Sequence, residues 1–221
     1  MEIKYLGHAS FLIKTKTSKL VTDPYDSNMV GLKFPRTEAD IVTVSHQHGD
    51  HNAYQQIVGV GGVAPLVIDM PGEFEKMQMR IFGFKSFHDD VQGAQRGENN
   101  LYKIEAEGVS ILHCGDLGII PDDSFLDAIG DVDILMVPVG GFYTIDSEKA
   151  VELVKKVEPA IVIPMHFGNP DMKNKDILNK LAPVTDFTKK FGIDNPQKLP
   201  KLVTKKEDLV EGEMKVIVLE S

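Results

Sequence analysis

The sequence predicts an α/β fold made of two similar halves. Strand-length runs, alternating or wholly apolar, recur from Glu2 to Met165, and helical spacing of apolar residues appears between them. "SFLIKTKTSKLVTDP" (10–24) and "NLYKIEAEGVSILHCGD" (100–116) share one layout: a strand, a short polar turn, a second strand and a closing aspartate, Asp23 or Asp116. This is a weak internal repeat.

By their period "EIKYL", "SFLIK", "KLVTD" and "IVTVS" read as strands, and a helix is expected from Asn52 through about Val58. "LVID" and "IFGFKSF" resume the strand pattern. In the 100–116 segment Glu107-Gly108 forms the turn of a hairpin, because glycine tolerates positive φ. A helix follows near Asp122 to Ile129, then the buried-type strand "DILMVPV", a helix from about Asp146 to Val157, and the strand "AIVIPM" ending at His166. Asp146 before "SEKAVELVKKV" is a good N-cap ahead of apolar residues at helical spacing. The tail from Phe167 to Glu213 is rich in Lys, Asn and Pro, with helices expected in "DILNKL" and "VTDFTKKF", and "MKVIVLE" closes the chain as a strand. No linker or low-complexity tract divides the sequence, so residues 1–221 are expected to form one domain.

Composition narrows the function. A chain of 221 residues, 42% hydrophobic, can bury a sizeable core. No run approaches the roughly 20 apolar residues of a membrane helix. Met1 leads straight into "EIKYL" without the basic and apolar segments of a signal peptide, which predicts a cytoplasmic protein with no membrane partner. The single cysteine, Cys114, excludes an internal disulfide and catalysis by a cysteine pair. A net charge of -9 argues against nucleic acid as a partner and leaves a small-molecule substrate as the expectation.

The seven histidines lie mostly beside Gly, Asp or Pro at the ends of apolar runs, where strands meet loops. In "HQHGDH" (46–51) four ligand-type side chains fall within six residues. The spacing of two puts His46 and His48 on one side of an extended segment, within reach of a single cation. Gly49 permits a sharp turn, so Asp50 and His51 leave in another direction and suit a second cation. Imidazole and carboxylate fit Zn(II), Mn(II) or Fe(II), with no thiolate to force zinc.

This arrangement matches the H-x-H-x-D-H signature of the metallo-β-lactamase superfamily. The chain resembles in particular the small metal-dependent hydrolases of that fold, because "YLGHASFLI", "TDPY", "LHCGD" and "VPVGGFYTID" look like that group's landmarks. The resemblance runs from the N-terminus to about residue 168 and implies a four-layer αβ/βα sandwich, in keeping with the repeat. It also implies further ligands: His88 in "SFHDD", with Asp89 or Asp90 as the alternative, Asp116 in "HCGD" as a bridging carboxylate, and His166 in "IVIPMHF". His46, His48 and His88 would hold one divalent ion, and Asp50, His51 and His166 the other, with zinc favoured over manganese or iron. Asp23 in "TDPY" matches a family aspartate that orients a ligand histidine or a loop. His113 is expected behind the ligands, since strand alternation opposes it once Asp116 is one. His8 in "GHAS" either faces the pocket mouth or caps the first strand. With Asp116 in the ligand position, Cys114 is expected in the core, and antibiotic hydrolysis is not the expected role.

Water activated by two cations and oriented by Asp50 or Asp116 would attack an ester-type bond: a phosphodiester, lactone, thioester or carboxyl ester. The alternatives are a metal-dependent nuclease, which would bring basic grooves, and a non-enzymatic metal-binding or sensing module. An iron–oxygen redox protein of this fold would carry H-x-E-x-D, whereas His48 is intact. Arg96, Asn99 and Asn100 in "DDVQGAQRGENN" and Tyr143 in "GGFYT" are candidate substrate contacts, in loops that line the pocket or are solvated turns. The cations and Arg96 together predict a substrate carrying a phosphate or carboxylate near the scissile bond.

Overall fold

In the structure, a computed structural model that describes residues 1–210 and 212–221, the halves form two sheets. The six-stranded sheet runs Leu202–Val203, Glu2–Gly7, Ser10–Lys14, Lys19–Thr22, Ile41–Thr43, Leu66–Ile68. The eight-stranded sheet runs Gln197–Leu199, Lys215–Leu219, Ile161–Met165, Ile134–Pro138, Val109–His113, Glu98–Ala106, Met79–Phe87, Gly72–Lys76. The halves correspond strand by strand. Glu2–Gly7, Ser10–Lys14 and Lys19–Thr22 are antiparallel neighbours, to which Ile41–Thr43 and Leu66–Ile68 add in parallel. Met79–Phe87, Glu98–Ala106 and Val109–His113 repeat the antiparallel set, and Ile134–Pro138 and Ile161–Met165 repeat the parallel one. The two hairpins recognised in the sequence are the centre of this longer repeat.

The sheets pack face to face. Ile3, Phe11, Ile13 and Leu20 of the first meet Ile81, Leu101, Ile104 and Ile111 of the second in one apolar cluster. Ile134–Pro138 and Ile161–Met165 are buried along their whole length, because the helices Ser147–Val157 and Val184–Lys190 cover their outer face. Asp146 caps the first of these helices by accepting from the amides of Glu148 and Lys149 at 3.0 and 2.9 Å. Outside the other sheet, Val21, Tyr25, Val42 and Val44 pack with Val30 of the short helix Ser27–Val30 and with Met172 and Leu181, which flank the helix Lys175–Leu178. The result is the four-layer αβ/βα sandwich. Among the described residues no helix is long and apolar enough to cross a membrane.

The expected helix at Asn52–Val58 is not formed. Tyr54–Gln56 makes a single 3-10 turn, and Val58–Gly59 pairs in parallel with Glu38–Ala39. So short a segment gains too few hydrogen bonds to offset helix nucleation, and the Val58 amide instead donates to the Thr37 carbonyl at 3.1 Å. Gly72–Lys76 is an edge strand with little apolar signal, and it was not evident from the sequence. The tail adds Gln197–Leu199 to one sheet and Leu202–Val203 to the other, so it ties the two sheets together.

At the second hairpin both turn residues have positive φ, 53° at Glu107 and 77° at Gly108. The Glu107 carboxylate accepts from the amide of Lys16 at 2.8 Å and pairs with the N-terminal ammonium at 2.8 Å, which joins this turn to the first half.

Candidate metal centre

The candidate ligands stand at the carboxyl ends of strands, all on one rim of the sandwich. His8 follows Glu2–Gly7 and His88 follows Met79–Phe87; Asp23 follows Lys19–Thr22 and Asp116 lies just beyond Val109–His113. The 46–51 loop leaves Ile41–Thr43, and His166 follows Ile161–Met165.

The 46–51 loop is held from beneath. The Ser45 amide donates to Asp23 Oδ1 at 2.7 Å, the Ser45 hydroxyl donates to Asp23 Oδ2 at 2.6 Å, and the Ser45 carbonyl accepts from the Asn100 amide at 2.8 Å. The amides of His51 and Asn52 then donate back to the His48 carbonyl, which closes the turn. Gly49 does not use the left-handed region; its missing Cβ leaves room for the Met29 sulfur, which a Cβ would meet at 2.7 Å. Gly115 does depend on being glycine: φ is 54°, and a Cβ would lie 2.4 Å from Asn99 Oδ1 and 2.5 Å from Ser45 Cβ. Its turn delivers Asp116, whose amide donates to Asn99 Oδ1 at 2.9 Å.

Two groups of side chains result. His46, His48 and His88 converge with ring centroids 4.6 to 5.2 Å apart. Asp50, His51 and His166 converge beside them, joined by His8. Asp116 lies between: Oδ1 is 3.2 Å from His51 Nε2, and Oδ2 is 3.2 Å from His88 Nε2, 3.3 Å from His166 Nε2 and 4.0 Å from His46 Nε2. Four imidazoles around one buried carboxylate, without a hydrogen-bond partner for His46 Nε2, His51 Nε2 or Asp116 Oδ1, fit divalent cations. The opposite nitrogens of two rings are tied down: His46 Nδ1 to the Ser45 hydroxyl and His51 Nδ1 to Asp23 Oδ2, each at 2.9 Å. These contacts aim Nε2 into the cluster.

The electrostatics agree. Burial, reinforced by His51, pushes His46 down to about 3, and burial with His166 pushes His8 down to about 4, so both rings are neutral and able to ligate. Burial works against ionised Asp116, yet His166 and His51 hold its carboxyl well below the usual carboxylate range. Burial also opposes protonation of His51, but Asp116, Asp50 and Asp23 outweigh it and raise the ring well above its ordinary value. Three carboxylates therefore favour positive charge at this point, which a bound metal ion would supply in place of a proton.

His113 lies behind the cluster: Nε2 donates to the Ala9 carbonyl at 2.8 Å, and Nδ1 accepts from the Gly115 amide at 3.3 Å. Asp89 accepts from the amides of Val91, Gly93, Gln95 and Arg96, so it organises its own loop and does not reach the cluster. Cys114 is buried in the core.

A cavity of about 380 Å³ opens above, lined by His48, Asp50, His88, Arg96, Tyr143 and Met29 among others. The Arg96 guanidinium stacks 5.0 Å from the Tyr143 ring centre and 5.7 Å from that of Phe142. Lys180 approaches the same aromatic pair and donates to the Tyr143 hydroxyl at 3.2 Å. Lys180 and Met29 went unnoticed in the sequence because they arrive from distant segments and carry no local motif. Asn99 and Asn100 are not pocket groups. Both are buried, donating to the carbonyls of Cys114 and Ser45, because the turns that carry Asp116 and His46 need those partners.

Fold and site together define a metal-dependent hydrolase. The chain belongs to the β-lactamase superfamily domain family, whose sequence model matches residues 2–166. It is 31% identical over 192 residues to a metal-dependent hydrolase of Carboxydothermus hydrogenoformans, across 76% of this chain and 85% of the relative. A second metal-dependent hydrolase, from Thermococcus kodakarensis, is 28% identical over 191 residues with the same shares covered. A crystal structure from Thermotoga maritima, assigned to the Zn-dependent hydrolases of the metallo-β-lactamase superfamily, superposes with a TM-score of 0.79 and 33% identity, covering 99% of this chain and 98% of that one.

Proposed function

We propose that this enzyme uses two divalent cations to hydrolyse an ester-type bond, in a phosphodiester, lactone, thioester or carboxyl ester, of a small anionic molecule. The observation that carries the reading is the meeting of two ligand groups at Asp116 beneath one cavity. His46, His48 and His88 would hold one cation and Asp50, His51 and His166 the other, with Asp116 between them. Zinc is the first expectation, and manganese or iron suits the same donors. When bound, such cations supply water ionisation near neutral pH and Lewis-acid polarisation of the electrophile, so no serine or cysteine nucleophile is required. Asp50, its side chain 20% exposed toward the cavity, accepts a hydrogen bond from the attacking water and fixes its orientation. Arg96 and Lys180, braced on the aromatic pair, hold the substrate's anionic group. The net charge of -9 supports a small molecule over nucleic acid.

Elemental analysis should find about two divalent ions per chain, the stoichiometry of a two-metal site. Chelation should remove them together with turnover in a screen spanning phosphodiesters and lactones, and should lower the thermal midpoint, because cations that bind the folded state stabilise it. A metal-free preparation with full activity would overturn the reading, and metal binding without turnover on any ester class would favour a sensing module.

Arg96→Ala should raise KM for an anionic substrate by about 10- to 100-fold, the worth of a charge-assisted hydrogen bond, and leave a neutral ester nearly unchanged. Equal effects on both substrates would remove Arg96 from substrate recognition. Lys180→Ala is expected to act in the same direction and more weakly, since Lys180 is exposed.

A further inference from the structure

Resting on the two-cation reading, we propose that His8 is a direct ligand of the second cation, making that site His8, Asp50, His51 and His166. One ligand-capable atom from each of these four residues lies within 4.8 Å of the others. His8 is 1% exposed, with its ring centre 4.2 Å from that of His166 and 5.0 Å from that of His51. Its Nε2 points at Asp50 Oδ2 from 3.3 Å, and its Nδ1 is buried without a partner. In this His8 matches the candidate ligands His88 and His166, whose Nδ1 atoms are likewise buried without a partner, and differs from His113, whose two ring nitrogens are both engaged by backbone.

The backbone is built to place this ring. His8 has φ 56°, a conformation uncommon for a residue with a Cβ, and follows Gly7 at φ 110°. Two hydrogen bonds hold it there, both to the His8 carbonyl: one from the Tyr5 hydroxyl at 2.7 Å and one from the His166 amide at 2.8 Å. The second bond couples His8 to a neighbour in the same ligand group.

The repeat supplies independent support. His8 and His88 each follow the strand that opens the repeated antiparallel set, Glu2–Gly7 in one half and Met79–Phe87 in the other. His88 presents Nε2 to Asp116 at 3.2 Å as His8 presents Nε2 to Asp50 at 3.3 Å. Each half thus contributes the histidine at the end of the corresponding strand to one of the two groups.

The rival role is an Nε2–H donor that only steadies Asp50. The two roles place the ring proton on opposite nitrogens, so they separate without an activity assay. Nitrogen-15 NMR of histidine side chains, recorded on chelator-stripped protein during Zn(II) titration, should show His8 Nε2 losing its proton-bearing character as the second equivalent binds, with the proton on Nδ1. Loss of His8 in His8→Ala should weaken the second site by more than the ~10–100-fold typical of outer partners. His8→Gln, whose amide can still donate to Asp50, should not restore it. Two bound Zn(II) ions with His8 Nε2 still protonated, or full affinity in His8→Gln, would overturn this assignment alone. Uptake of a single Zn(II) would overturn both it and the two-cation reading.

Discussion

Replacing Asp116 by Ala is expected to abolish turnover and strip both cations from the protein. Its two oxygens lie within 3.2 to 3.3 Å of ring nitrogens on His51, His88 and His166, which belong to different ligand groups, so one truncation reaches both sites. The carboxylate is also the strongest of the charges that raise His51 against its burial, and without it the remaining imidazoles have no central counter-charge. Turnover should fall by roughly 10³-fold or more, the scale for losing a group on which the transition state depends. Asp116→Asn keeps the shape and one acceptor, and is expected to retain weakened binding. Metal content by mass spectrometry checks both variants, and two tightly held cations in Asp116→Ala would show that another residue joins the sites.

Asp23→Ala should cost roughly 3–5 kcal/mol of folding stability even in metal-free protein, because it breaks a buried charged network from one side. The carboxylate accepts from His51 Nδ1 and from the amide and hydroxyl of Ser45, at 2.9, 2.7 and 2.6 Å, and it is fully buried. Burial opposes its charge, but His51, His113 and His46 hold its carboxyl below the usual carboxylate range. A depressed folded-state pKa contributes stability above the unfolded value and loses it as pH falls through the folded one, so wild type and variant should converge in acid. With its anchor gone the His51 ring is free to turn, and cation affinity should drop by ~10–100-fold. Urea unfolding of chelator-treated protein measures the first effect and Zn(II) competition the second. Equal midpoints for variant and wild type near neutral pH would contradict this account. His113→Ala, by contrast, should leave cation stoichiometry intact, whereas His88→Ala should empty one site.

The sequence by itself determined most of the architecture and the residues of the main candidate cluster. "HQHGDH" is local, and its spacing alone puts four donors at one strand end. The strands flanking Asp23, Asp116 and His166 were legible because parallel strands buried on both faces read as continuous apolar runs, and the hairpins repeat. Tertiary structure decided what pattern cannot carry. Asn52–Val58 became a turn and a strand because Thr37, distant in sequence, offered a hydrogen-bond partner. Asn99 and Asn100 turned inward to satisfy the backbone of turns from other segments. Lys180 reached Tyr143 across 37 residues of chain, and His8 reached Asp50 across 42. A lone polar residue in sequence has no preferred partner. Its role follows from which strand ends the packing of two sheets brings to the same rim, and from the need of every buried donor, acceptor and charge there to be matched.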